Sequence, residues 1–286
     1  MAKKRKTDRH LTKKRNKRKR PKGKRTGNKQ KLKIQLHVSQ DDWGNIQPNE
    51  IAVLLQDTAF YINRLLRVPF HEKIQVTPSQ VDHPKVLYRS STEEPYIVWL
   101  SVRDHFWCQF AYQFSHEFCH VLSNHQKIKE NPNNWFHEAI CELASVFALR
   151  CMSRRWRTHP AFPRRTDYAV SLRDYWQDRL DNQEAQLPEG MSLHNWISLR
   201  ENELRENPVA EREQRNNQNL VAYELLPLFE ETPRGWNAIR RLPNSSDKLA
   251  GYLVNWYSAV DTDDKAFVAR IAAAFGYAIP FEEIEH

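Results

Sequence analysis

The amino-acid sequence predicts an α+β fold, with a mixed sheet and helices near the N-terminus followed by a mainly α-helical C-terminal half. Alternating apolar and polar residues, the pattern of strands, are concentrated before residue 107. From residue 107 onward, apolar residues recur with the helical period of about 3.6. A hydrophobic content of 40% with seven glycines is typical of a globular, helix-rich chain, and 286 residues suffice to bury a large core.

The segment before residue 107 supplies the sheet and one helix. Alternation over residues 34–38 predicts the first strand. A proline and an asparagine then open an apolar-periodic stretch over residues 48–66, which predicts a helix. Two further strands are predicted at 73–77 and 96–102, with a weaker one at 86–88.

The remainder of the chain is predicted to be helical. One helix is expected over residues 107–124 and a second over 135–153, separated by Pro132-Asn133-Asn134, which breaks the chain and supplies a helix cap. Further helices are predicted at residues 167–182, 192–206, 210–231, 246–259 and 263–275.

The net charge of +9 conceals two parts of opposite sign. Residues 1–33 contain 18 of the 44 basic residues and one acidic residue, Asp8, which gives this segment a charge of +17. The other 26 basic residues face 34 acidic ones, so the rest of the chain carries −8. Because like charges repel and nothing apolar is available to bury, residues 1–32 are predicted to be a disordered basic arm.

Such an arm binds polyanions through counterion release, so RNA or DNA is a candidate partner. A solubilising tail with unspecific adhesion is the alternative, and in a eukaryote the same run would be a nuclear address. The candidate nucleic-acid contacts are the basic residues of its densest part, Lys13, Lys14, Arg15, Lys17, Arg18, Lys19 and Arg20.

The sequence predicts a cytoplasmic protein, or a nuclear one if the source is eukaryotic. No apolar run approaches the roughly 20 residues that span a bilayer. No apolar stretch follows the basic start, so a secretory signal peptide is not expected. Cys108, Cys119, Cys141 and Cys151 follow no disulfide spacing and are interpreted as reduced, buried side chains.

The strongest chemical motif is His116-Glu117-Phe118-Cys119-His120, an H-E-x-x-H on a predicted helix. His116 and His120 project from one face, one turn apart, and two neutral imidazoles so placed suit one Zn²⁺ ion per chain. Glu117 lies beside this face and is predicted to act as general base toward a water molecule. The alternative is a helix with two idle histidines, but the apolar neighbours indicate burial, where polar groups need partners.

The next predicted helix offers a third ligand. Glu138 and Glu142 share a face at a spacing of four residues, and apolar neighbours again indicate burial, which is costly for carboxylates without cations. Glu138 is predicted to bind the metal and Glu142 to accept a hydrogen bond from a ligating histidine. Exposed glutamates on a solvated face are the alternative. His137 is interpreted as a solvent or packing residue.

The segment His116-Glu-Phe-Cys-His120, seventeen residues, then Glu138-Ala-Ile-Cys-Glu142 resembles the gluzincins, the thermolysin-like and aminopeptidase-like zinc peptidases. Trp135-Phe136 is similar to the aromatic pair before the third ligand in the aminopeptidases. The resemblance implies a zincin-like metallopeptidase domain over residues 33–286, with an α+β half at 33–130 and a helical half at 131–286.

The resemblance also implies a substrate edge and an oxyanion donor. Strand 96–102 would be the sheet edge that pairs with an extended peptide. No segment like the amino-terminus-binding motif of the aminopeptidases precedes the first helix, so aminopeptidase specificity is not implied. Tyr223 is the candidate oxyanion donor, with His194 and Tyr252 as weaker ones, and an ordinary tyrosine at the edge of the core is the alternative for Tyr223.

Two functions follow from these observations. The first is a zinc-dependent hydrolase, a peptidase that cleaves peptide or amide bonds of a peptide or protein substrate. The second is a nucleic-acid- or ribosome-associated binding protein that acts through the basic arm, with a non-catalytic zincin scaffold. A peptidase localised by its arm is compatible with both.

Overall fold

The four predicted strands assemble into one sheet in the computed structural model of the protein, which describes residues 33–123, 131–206 and 211–279. The strands are β1 Gln35–Val38, β2 Lys73–Pro78, β3 Lys85–Leu87 and β4 Tyr96–Leu100, in the spatial order β1-β2-β4-β3. β1, β2 and β4 run parallel, whereas β3 runs antiparallel to β4. The sheet is mixed, and the predicted α+β class is confirmed.

The place of β3 in the sheet corrects one expectation. Lys85–Leu87 folds back beside β4, so that Val86 pairs with Val98 and β4 becomes an internal strand between β2 and β3. The expectation that residues 96–102 form the edge of the sheet is therefore wrong. The pairing satisfies backbone hydrogen-bonding groups along β4. The alternation of side chains over the three residues of β3 is too short to predict which strand it pairs with.

The eight described α-helices match the predicted ones to within three residues at each end. They are α1 Pro48–Asn63, α2 Trp107–Ser123, α3 Asn134–Trp156, α4 Tyr168–Leu180, α5 Leu193–Glu206, α6 Glu211–Glu231, α7 Leu249–Ala259 and α8 Thr262–Ala274. A 3₁₀ helix at Pro233–Arg241, which the sequence pattern did not predict, connects α6 to α7.

Helix α3 occupies the centre of the helical layer. Of its 23 residues, 17 are buried, and it packs against α1, α2, α4 and α6. A helix surrounded in this way is apolar around most of its circumference, which explains why its sequence shows little amphipathic pattern. Every charged group on α3 must therefore find a partner on a neighbouring element.

The predicted basic arm at residues 1–32 lies outside the described residues, so its disorder and its boundary stay predictions. Within the described ranges, none of the helices combines the length and the apolar character that crossing a membrane requires. The four cysteines are free thiols, three of them buried.

Asn133, immediately before α3, links the start of this helix to the C-terminal region. It is 1% exposed, donates to the carbonyls of Ser245 and Asp247 at 3.0 and 2.8 Å, and accepts from Arg205 at 2.8 Å.

We expect Asn133→Ala to lower the free energy of unfolding by about 2–3 kcal/mol, because the two carbonyl groups and the Arg205 guanidinium lose their hydrogen bonds to the Asn133 side chain. Urea unfolding should detect this change. The free energy of unfolding of the surface variant Asn216→Ala should stay within about 0.5 kcal/mol of the wild-type value. If both variants lost the same free energy of unfolding, the hydrogen bonds of Asn133 would not be the stabilising contacts.

Candidate metal centre

The two histidines of the H-E-x-x-H motif project from one face of α2. His116 and His120 lie one turn apart, and their ring centroids are separated by 4.9 Å. Phe114 and Phe118 stack on each other along the same helix, and both are fully buried. This apolar packing fixes α2 in the core and directs the two imidazoles toward α3.

Glu138 on α3 meets both imidazoles with a single carboxylate oxygen. Its Oε2 lies 3.1 Å from Nε2 of His116 and 3.4 Å from Nε2 of His120. Two ligand atoms of a tetrahedral ion with bonds of 2.0–2.1 Å are about 3.3–3.4 Å apart, so these separations fit the edges of a zinc coordination sphere. The side chains of His116 and Glu138 are 21% and 23% exposed, which leaves the group accessible to water.

Cys141 is a second neighbour of this group, and the sequence reasoning missed it by treating it as a buried apolar side chain. Ligand atoms of His116, His120 and Cys141 all lie within 4.8 Å of one another, so these residues could hold a metal ion. The Cys141 sulfur is 3.3 Å from Nδ1 of His120, the nitrogen that does not face Glu138. Its position one turn after Glu138 on α3 is the signal that could have revealed it.

Glu142 lies on the opposite side of His116 from Glu138. Its Oε2 is 4.0 Å from Nδ1 of His116, which is close but longer than a hydrogen bond. The Tyr112 hydroxyl donates to both oxygens of this carboxylate, and the Tyr223 hydroxyl donates to Oε1 at 3.4 Å. Tyr223, the predicted oxyanion donor, is thus placed on the Nδ1 side of His116.

Glu117 is 4% exposed and lies beside the two histidines. Burial raises the pKa of its carboxyl group above the usual value, and the charges of His120 and His116 oppose this rise. A raised pKa brings a carboxylate closer to the operating pH of a general base. The predicted role of Glu117 therefore agrees with its electrostatic surroundings.

His116 and Glu138 stabilise each other's charged forms. Burial disfavours the His116 cation, but the hydrogen bond and charge of Glu138, together with the charges of Glu117 and Glu142, raise its pKa to about 9. Burial also disfavours the Glu138 anion, yet the charges and hydrogen bonds of His120 and His116 hold its pKa well below the usual range. In the metal-free protein these shifts favour a partly exposed ion pair between the two groups at neutral pH.

His137, interpreted from the sequence as a solvent or packing residue, is 1% exposed and packs against the candidate site. Its ring stacks on that of His120 at 5.5 Å, and its Nδ1 is 4.0 Å from the Cys141 sulfur.

The two weaker candidates for the oxyanion donor have other partners. His194 bonds the carbonyl of Phe275 at 2.7 Å. Tyr252 is 1% exposed and packs on Phe136. The contacts of His194 and Tyr252 give no support to a role as oxyanion donor.

Tyr88, directly after β3, is a further site residue that the sequence reasoning did not identify. Its ring is 6.4 Å from that of Tyr96 on β4. Burial raises the pKa of its hydroxyl, and the charges of Cys141, Glu117 and Glu138 raise it further. The hydroxyl therefore lies within the electrostatic field of the candidate metal site.

Comparison with known proteins leaves the resemblance to the gluzincins resting on the sequence motifs. No family model matches the chain, and no curated protein or solved structure matches it significantly. The predicted polyanion-binding side chains lie outside the described residues; they are Lys13, Lys14, Arg15, Lys17, Arg18, Lys19 and Arg20.

The identity of the third ligand can be tested with Glu138→Ala and Cys141→Ala. We expect Glu138→Ala to lose the metal. One Glu138 oxygen lies beside Nε2 of both histidines, so its removal would leave the ion with two of its three predicted ligands. Cys141→Ala should retain it with an affinity lowered by no more than about 10–100-fold, the effect of a residue that orients a ligand. Elemental mass spectrometry after dialysis measures both, with Cys151→Ala as control. Metal loss in Cys141→Ala alone would assign the thiol as ligand.

Metal binding should also release protons. Below its pKa of about 9, His116 carries a proton in the metal-free protein, and a ligand must be a neutral imidazole. At pH 6.5 we therefore expect about one proton released per ion, and an apparent affinity that rises roughly tenfold per pH unit up to pH 8. Calorimetry in buffers of different ionisation enthalpy counts these protons. No release would contradict a charged His116, and a second proton would indicate a Cys141 thiolate ligand.

Proposed function

We propose that the chain is a zinc-dependent hydrolase, specifically a peptidase, in which His116, His120 and Glu138 hold one Zn²⁺ ion. The observation that carries this proposal is the approach of one Glu138 oxygen to Nε2 of both histidines, at 3.1 and 3.4 Å. Two imidazoles and one carboxylate are a ligand set that catalytic zinc sites use, with a fourth position left for water. Glu117, buried beside the same histidines, supplies a group that a purely structural site does not need.

A zinc ion bound here would supply Lewis-acid polarisation of water and of the scissile carbonyl group. Glu117 accepts the proton of the attacking water and returns it to the leaving amine. Burial raises the pKa of the Glu117 carboxyl group in the metal-free protein, which makes it a stronger base toward water.

The substrate would bind along β3 rather than β4. β3 is the edge strand on this side of the sheet, and its outer side pairs with none of the other described strands. β3 also contacts α2, the helix that carries the two histidines. An extended peptide can add to such an edge through main-chain hydrogen bonds, which places its carbonyl groups beside the site.

Tyr88, at the end of β3, is our candidate for the donor that stabilises the oxyanion. Its hydroxyl lies in the field of Glu117 and Glu138, whereas the hydroxyl of Tyr223 bonds Glu142 on the other side of His116. A donor placed where negative charge develops is often worth several kcal/mol in an acyl-transfer reaction.

The basic arm supports a second function, in which residues 1–32 bind RNA or DNA. The observation that favours it is the charge of +17 in residues 1–33. Deleting residues 1–32 should abolish salt-dependent binding of a labelled RNA or DNA while metal content stays the same. Binding retained by the truncated chain would exclude the arm as the nucleic-acid site.

Three substitutions test the catalytic proposal with fluorescein-labelled casein as substrate. Glu117→Gln should keep zinc and lower hydrolysis by about 100-fold or more, because the amide cannot accept the proton. His116→Ala should lose both zinc and activity. Tyr88→Phe should keep zinc and lower the rate by about 10²–10³-fold.

The matched control is Tyr96→Phe, which removes a hydroxyl from the neighbouring ring. This variant should retain near wild-type activity. Full activity in zinc-loaded Glu117→Gln would remove Glu117 from its role, and full activity in Tyr88→Phe would leave the oxyanion donor to be found elsewhere.

A further inference from the structure

Glu142 is held by residues from two helices besides its own. Tyr112 on α2 donates its hydroxyl proton to both oxygens of the carboxylate, and Tyr223 on α6 donates to Oε1 at 3.4 Å. The Glu142 side chain is 7% exposed. A carboxylate at this depth needs charged or hydrogen-bonding partners, and the two phenols supply them.

The same carboxylate faces the ring of His116 from the side opposite Glu138. Glu142 Oε2 is 4.0 Å from Nδ1, whereas Glu138 Oε2 is 3.1 Å from Nε2. A carboxylate beside the outer nitrogen of a metal-ligating histidine selects the tautomer and fixes the orientation of the ring. At 4.0 Å the two groups form no direct hydrogen bond, but the negative charge of Glu142 favours a proton on Nδ1, which leaves the Nε2 lone pair available to a metal ion.

Arg179 on α4 extends this arrangement. Its guanidinium lies 4.7 Å from the ring centroid of Tyr112 and 5.0 Å from that of Tyr175, and it donates to the Tyr175 hydroxyl at 2.9 Å. A cation over the face of an aromatic ring is attracted to it, so Arg179 fixes the Tyr112 ring and brings positive charge near Glu142. Helices α2, α3, α4 and α6 thus meet around one carboxylate.

We propose that Tyr112 and Tyr223 are positioning residues of the metal centre, which hold Glu142 in the one conformation that orients His116 for metal binding. Tyr112 lies one turn before His116 on α2, so its hydrogen bond links the Glu142 carboxylate to the helix that carries His116. Tyr223 comes from α6 and ties the same carboxylate to the C-terminal half. The inference rests on the proposed metal function, and it assigns Tyr223 to Glu142 rather than to substrate.

The test compares Tyr112→Phe and Tyr223→Phe with Tyr61→Phe. The control loses a buried hydroxyl on α1 that also donates to a carboxylate, that of Asp57 at 3.4 Å, rather than to Glu142. Zinc affinity is measured by competition with a chromophoric chelator. We expect about a tenfold loss in Tyr112→Phe, a smaller loss in Tyr223→Phe because its bond is longer, and no change in Tyr61→Phe.

A tautomer measurement separates positioning from general structural support. Long-range ¹H–¹⁵N NMR of the zinc-loaded protein should show the His116 ring in one tautomer in the wild type, and altered Nδ1 chemical shifts in Tyr112→Phe. In a Glu142→Gln background, Tyr112→Phe should cause no further loss of zinc affinity, because Tyr112 acts through that carboxylate. A lowered melting temperature with unchanged affinity and Nδ1 shifts would overturn the inference.

The outcomes keep this inference distinct from the proposed hydrolysis. Zinc affinity in Tyr112→Phe and Tyr223→Phe equal to that in Tyr61→Phe, in a protein that hydrolyses casein, overturns the positioning role alone. The expected affinity pattern in a protein without hydrolytic activity supports the positioning role and removes the proposed function. A wild-type chain that binds no zinc overturns both.

Discussion

The enclosure of two carboxylates on α3, with Glu142 buried and the Glu138 side chain 23% exposed, is the constraint on which the rest of the site depends. Other helices surround α3, so Glu138 and Glu142 are withdrawn from most of the solvent and need partners from neighbouring elements. His116 and His120 supply them for Glu138, and Tyr112 and Tyr223 supply them for Glu142. The packing of α2 and α6 against α3 is thereby coupled to the geometry of the candidate metal site.

Two glutamates that lie close together, Glu117 and Glu138, have pKa values shifted in opposite directions. Burial raises the pKa of Glu117, whereas the histidine charges hold the pKa of Glu138 far below its usual range. The difference arises because Glu138 has direct hydrogen bonds to both imidazoles. A site that contains one carboxylate suited to accept a proton and another suited to stay ionised can separate the roles of base and ligand.

The sequence alone determined the helices and the central pair of histidines. Helix bounds are encoded in the local recurrence of apolar residues, and the agreement to within three residues reflects this local origin. The spacing of His116 and His120 places both on one helix face whatever the rest of the chain does. Glu138 and Glu142 could be predicted for a similar reason, since charged residues among apolar neighbours on a buried helix need partners.

Only the tertiary structure decided which of these groups meet. The placement of β3 outside β4, the contact of Cys141 with Nδ1 of His120, and the position of Tyr88 near Glu117 join segments that are distant along the chain. The partner of Tyr223 could not be predicted from the sequence either. Its residue type suggested an oxyanion donor, whereas α6 directs its hydroxyl to Glu142. Periodicity records which face of an element is buried, but it carries no information about the partner across the interface.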